Sequence, residues 1–114
     1  MRTVAYRLGS AIRESSQKAG RDPEERLHAL VRASFTAPGF TSNHVAVWAA
    51  MVGVARWSPQ LASVYQEIWR DYRHGVGRLF ESAAKKRGII MDTRMVALTF
   101  SQMVEGMWVG WNAD

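Results

Sequence analysis

The chain has 114 residues and 47% hydrophobic content, enough for one domain with a core and too little for several. Its formal charge is +5 and it has no cysteine, which excludes disulfides and thiolate metal sites and fits a reducing cytoplasm. No run of about 18 uncharged apolar residues is present to cross a membrane, and Arg2, Arg7, Arg13, Glu14 and Lys18 interrupt any signal-peptide core over 1–20.

The apolar spacing is helical throughout and predicts an all-α fold, an antiparallel helical bundle of about five helices. The first helix is expected over 3–18, with Val4, Leu8, Ala11, Ile12 and Ser15 on one stripe and Gly20 as its stop. Asp22-Pro23-Glu24-Glu25 restarts the chain with a cap, a first-turn proline and two acids at the positive helix end. The second helix then runs to about Phe35, its stripe being Leu27, Leu30, Val31, Ser34 and Phe35. Ala37-Pro38-Gly39 breaks it. Thr41 or Ser42 caps a third helix that reaches Arg56 or Trp57. Val45, Val47, Trp48, Met51, Val52 and Val54 make that helix apolar on nearly every side, which predicts a central element buried all round.

Ser58-Pro59 starts a long fourth helix reaching about Lys86 through Leu61, Val64, Tyr65, Ile68, Trp69, Tyr72, Val76, Leu79, Phe80 and Ala83. Gly75 and Gly77 weaken its middle and predict a local bend, and Gly88 ends it. The basic run Lys85-Lys86-Arg87 complements the helix dipole there and reads as a solvated end. The remaining positive charge is scattered, whereas phosphate binding needs a basic face. Asp92 caps the fifth helix, which carries Met95, Val96, Leu98, Phe100, Met103, Val104, Met107, Trp108 and Trp111. That arc is too wide for one interface: one side faces the core and the other needs a partner. Gly106 and Gly110, four apart, would let another helix come close.

All five tryptophans lie within 44–73 and 104–111. Trp48 and Met51 share a face of the third helix, and Tyr65, Trp69 and Tyr72 share a stripe of the fourth. Met103, Met107 and Trp108 come from the fifth. Two readings follow: plain core packing, or a small-molecule pocket between helices. The second makes Trp48, Met51, Tyr65, Trp69, Tyr72, Gln102, Met103, Glu105 and Trp108 the candidate ligand site. Aromatic faces attract cations by about 0.5–2 kcal/mol each, so a quaternary ammonium or other greasy cation suits it. Glu105 sits in an apolar helix; facing inward it needs a partner, facing outward it is ordinary. Gln102 offers a neutral hydrogen bond to a ligand or is simply exposed. Nothing points to catalysis, a metal or a cofactor. His28, His44 and His74 lack metal-ligand spacing, the serines lack a GxSxG elbow, and the glycines form no phosphate-binding fingerprint. Asp71 and Glu81 read as solvated helix positions.

Three segments in order carry a resemblance: RDPEERLHALVRASF (Arg21 to Phe35), VAVWAAMVGVARWSPQLASVY (Val45 to Tyr65) and ALTFSQMVEGMWVGW (Ala97 to Trp111). Together they resemble the C-terminal regulatory domain of the TetR family of bacterial transcriptional regulators, in its choline-responsive BetI-like branch. The resemblance implies a cytoplasmic, non-enzymatic repressor in which 1–114 form a single ligand-binding and dimerisation domain with 3–18 as the linker-type helix. It implies a homodimer, with Leu79, Phe80, Phe100, Met107 and Trp111 as the expected interface, and a small organic effector that controls DNA binding allosterically. DNA would be touched only through an N-terminal helix-turn-helix unit that this chain lacks, and a last helix of the family's dimer interface is also missing. No membrane partner is implied. The alternative is a helical protein–protein interaction module without a ligand.

Overall fold

A computed structural model describes residues 12–36 and 40–113. Residues 12–18 are helical (α1), followed by α2 (Pro23–Ser34), α3 (Ser42–Ala55), α4 (Pro59–Arg87) and α5 (Thr93–Ala113), with no strand among the described residues. The all-α bundle expected from the apolar spacing is the fold. The part of the first helix expected before residue 12 lies outside the described residues, as does the Ala37-Pro38-Gly39 break.

Each start follows from local chemistry. The first N–H groups of a helix lack intrahelical acceptors, and a side-chain oxygen supplies one in turn. Asp22 accepts from the Glu25 N–H at 3.2 Å, Thr41 from His44 at 3.1 Å, Ser58 from Leu61 at 3.3 Å and Asp92 from Met95 at 3.2 Å. Pro23 and Pro59 occupy first-turn positions where no N–H is needed. Helix α4 ends at Gly88, whose φ of 67° is left-handed; the Gly88 N–H donates to Lys85 O (3.2 Å) and the Ile89 N–H to Ala84 O (2.9 Å).

The basic run before Gly88 does more than face solvent. Lys86 bonds Asp22, and Arg87 grips Glu24 through two nitrogens, Nη2 at 2.8 Å from Oε2. These contacts tie the end of α4 to the start of α2, joining a negative helix terminus to a positive one. The Lys86 ammonium holds the Asp22 carboxyl below its ordinary range, and the Arg87 guanidinium does the same for Glu24.

Helix α4 packs against α2, α3 and α5 and is the central strut. It runs unbroken through Gly75 and Gly77. A Cβ at Gly77 would stand 3.6 Å from Ala97 Cβ, an ordinary contact where α5 crosses. The core is built from Ile12, Leu30, Val45, Trp48, Met51, Val64, Trp69, Val76, Ala97, Val104 and Trp108.

Helix α3 is not buried all round, contrary to its uniformly apolar sequence. Only Val45, Trp48 and Met51 are buried, while Val54 is 44% exposed. The residues turned outward include Ala46, Ala50 and Gly53, which carry too little apolar surface to demand burial. Helix α2 is likewise turned from the expected stripe: Ala29, Leu30, Ala33 and Ser34 are buried and Val31 faces out. Helix α5 has the two faces expected of it. Ala97, Ser101, Val104 and Trp108, at helical spacing, are buried; Met95, Leu98, Met103, Met107, Val109 and Trp111 are exposed on the other side.

Candidate functional site

Three indoles meet at the centre of the bundle. Trp48 lies with its ring centroid 5.4 Å from Trp69 and 6.1 Å from Trp108, edge to face in both pairs. Tyr65 and Tyr72 extend the cluster at 5.6 Å from Trp48 and 5.1 Å from Trp69, and Phe100 stacks on Tyr72 at 6.5 Å. The helical register of α4 explains the line: residues 65, 69 and 72 fall on one face at steps of four and three.

The polar atoms of these rings are accounted for one by one. Ser34 ends α2, so its carbonyl has no intrahelical donor; Trp108 Nε1–H supplies one at 2.8 Å. The buried Ser34 hydroxyl donates to Leu30 O at 2.8 Å and lies 3.4 Å from the Tyr72 hydroxyl. Glu105 of α5 faces inward and is partnered. Its carboxylate accepts from Tyr65 Oη at 2.8 and 2.9 Å and from Trp69 Nε1. Burial, and then the Glu105 carboxylate beside it, push Tyr65 up to about 12. Burial pushes Tyr72 up to about 12, against the lowering effect of its hydrogen bond with Ser34. Trp48 Nε1–H, in contrast, is buried and has no acceptor among the described residues.

A cavity of about 760 Å³ opens beside the indoles, among α1, α2 and α4. Its apolar walls include Ile12, Leu30, Ile68 and Leu79 with the rings of Trp48, Trp69, Tyr72 and Trp108; its polar walls include Arg13, Ser16, Arg26, Asp71 and Arg78. Helix α1 reaches it with four residues, Ile12, Arg13, Ser16 and Gln17. The α1–α2 corner is pinned by Ser16 Oγ–H donating to Arg26 O at 3.1 Å and by Arg26 Nε–H donating to Gly20 O. A second cavity, about 650 Å³, lies where α4 meets the start of α5, lined by Arg70, Arg73, Asp92, Arg94 and Leu98 among others, with none of the aromatic cluster.

Beyond this geometry, the family model for the BetI-type transcriptional repressor, C-terminal domain, matches residues 23–114. The chain belongs to the BetI-type repressor family. It is 23% identical over 113 residues to the HTH-type transcriptional regulator BetI of Stenotrophomonas maltophilia (strain R551-3), covering 96% of this chain and 54% of that protein. The fold matches a crystal structure of a transcriptional regulator from Pseudomonas aeruginosa PAO1 with a TM-score of 0.89 at 21% identity, over 99% of this chain and 55% of the other. The chain thus spans about half the length of the relatives it matches.

For a BetI-type regulatory domain, the expected ligand residues divide into three groups. Trp48, Trp69, Tyr72 and Trp108 line the large cavity. Met51, Tyr65 and Glu105 are outside its lining, Met51 in the core and Tyr65 bonded to Glu105. Gln102 and Met103 are exposed, because Ser101 and Val104 take the inward positions of that turn. Among the expected interface residues, Met107 and Trp111 are exposed, Trp111 with its ring 5.0 Å from Phe40. Leu79, Phe80 and Phe100 are partly buried against the core, Leu79 lining the cavity and Phe80 meeting Phe100 at 5.9 Å. Sequence reasoning passed over Arg13, Ser16, Arg26, Arg78 and Ser34. Arg13 and Ser16 flank the α1 stripe and were legible as neighbours of Ile12; Ser34 matters through its backbone oxygen, which no side-chain pattern reports.

Proposed function

We propose that this chain is the effector-sensing and dimerisation domain of a BetI-type repressor. A small organic molecule is bound in the cavity among α1, α2 and α4, and binding there controls DNA reading by the whole protein. The single observation that carries the reading is the shared wall: α1, the linker-type helix, and the indole cluster border the same space. An occupant therefore touches the helix that would lead toward the DNA-reading unit. If it binds one pose of α1 better than another, it shifts the population of poses by that difference and no more. Half-sites lie about 34–36 Å apart on DNA, so a modest pivot in each subunit of a dimer spoils simultaneous contact.

The apolar outer face of α5 supports the dimerisation half of the reading. Met103, Met107 and Trp111 are each about half exposed on it, and a Cβ at Gly106 or Gly110 would meet nothing within 4 Å, leaving room for a second helix to lie close. A cationic effector, the guest that the ring faces alone would suit, finds Glu105 already engaged by Tyr65 and Trp69.

A thermal-shift screen with amphiphiles of both charges and none tests the sensing role. A ligand at a hundred times its Kd stabilises by about 2.7 kcal/mol, which is roughly ten degrees for a domain of this size. A panel in which no member raises Tm refutes it.

A further inference from the structure

We infer that the cavity takes an organic anion, an apolar body bearing a carboxylate or comparably compact acidic group. The inference rests on the sensing role proposed above and concerns the chemistry of the guest.

The polar lining is one-sided. Among the described residues, three arginines, Arg13, Arg26 and Arg78, line the cavity against one acidic residue, Asp71. The internal demands on those cations are small. Arg26 is held through Nε to the Gly20 carbonyl, a neutral acceptor. Arg13 and Arg78 stand outside the ion pairs among the described residues, which join Lys85 to Glu81, Lys86 to Asp22 and Arg87 to Glu24. A guanidinium is planar and presents paired N–H donors that match a carboxylate in a way a point charge does not.

A cation would sit among three like charges. The one inward carboxylate of the aromatic cluster, Glu105, is already satisfied and is not part of the lining. The apolar share of the guest is set by Leu30, Ile68, Leu79 and the indole faces, within a volume of about 760 Å³ that suits a small molecule.

The test uses three probes of one chain length, below their aggregation limits: decanoate, decyltrimethylammonium and 1-decanol, followed by tryptophan fluorescence on the 114-residue chain. Decanoate is expected to bind at least about tenfold more tightly than the ammonium, since an ion-assisted hydrogen bond accounts for a factor of that order. Arg78 is exposed, so Arg78→Gln should leave the fold intact. It should weaken decanoate about tenfold while leaving 1-decanol unchanged. If the ammonium or the alcohol binds as tightly as decanoate, the anion inference is overturned and the sensing role stands. If Arg78→Gln changes no probe, or all three alike, the inference is overturned. If no probe binds, the anion inference is overturned, and the sensing role falls only if the wider thermal-shift panel also finds no ligand.

Discussion

Replacing Glu105 with leucine removes one acceptor from two donors on α4. Trp69 is 5% exposed, so its Nε1–H cannot turn to water and bears the full cost of an orphaned donor, about 1–3 kcal/mol. Tyr65 is only half buried, and its hydroxyl can be rehydrated, losing roughly 0.5–1 kcal/mol. Together these give a destabilisation of about 1.5–4 kcal/mol, or a fall in Tm of roughly 6–16 °C. Urea unfolding followed by far-UV circular dichroism, at one protein concentration, measures it. A double-mutant cycle with Trp69→Phe isolates the contact, and a coupling of at least about 1 kcal/mol is expected for two residues in direct contact. Additivity within about 0.3 kcal/mol would refute the argument that Glu105 is held inward by Trp69. Glu105→Gln keeps an acceptor and removes the charge. Tyr65 should then ionise below its present value of about 12 but above the ordinary 10.0, because burial, the larger cause, remains.

Gly88→Ala forces a side chain into left-handed backbone at φ 67° and should cost about 1 kcal/mol, read as a shift in urea midpoint with unchanged slope. The carboxyls of Asp22 and Glu24 have folded pKa values below their ordinary 3.8 and 4.5, so their contribution is complete above about those pH values and is lost as pH falls through the depressed ones. In acid titrations of stability, Lys86→Ala with Arg87→Ala should flatten the profile below pH 4.5 relative to the unaltered chain; an unchanged profile would deny the α2–α4 link. Met107→Glu introduces a charge on the exposed face of α5 and should weaken self-association at least about tenfold in sedimentation equilibrium, with helicity unchanged.

Helix boundaries were legible because capping is local: Asp22-Pro23, Thr41, Ser58-Pro59, Gly88 and Asp92 each act within four residues. Burial was less so, because it depends on what lies opposite. The sequence of α3 is apolar on all sides, yet neighbours cover only the face carrying Val45, Trp48 and Met51. The convergence of Trp48, Trp69, Tyr72 and Trp108 was readable from clustering and helical register. The guanidinium groups around them were not. Arg13, Arg26 and Arg78 are far apart in sequence, each looks like an ordinary surface arginine, and only the packing of α1 and α2 against α4 brings them to one cavity. The same holds for Lys86 and Arg87, whose partners Asp22 and Glu24 are more than sixty positions away.

Indoles separated by 5.4 to 6.4 Å are close enough for their electronic transitions to couple. The near-ultraviolet dichroism of Trp48, Trp69 and Trp108 is therefore one shared signal, and removing any one ring should dim the bands of the other two. Trp57, 79% exposed, stands outside that set, with the Arg56 guanidinium 5.5 Å from its ring centroid. The trio thus makes a built-in optical gauge, and a guest that shifts one of its rings should be visible without any label.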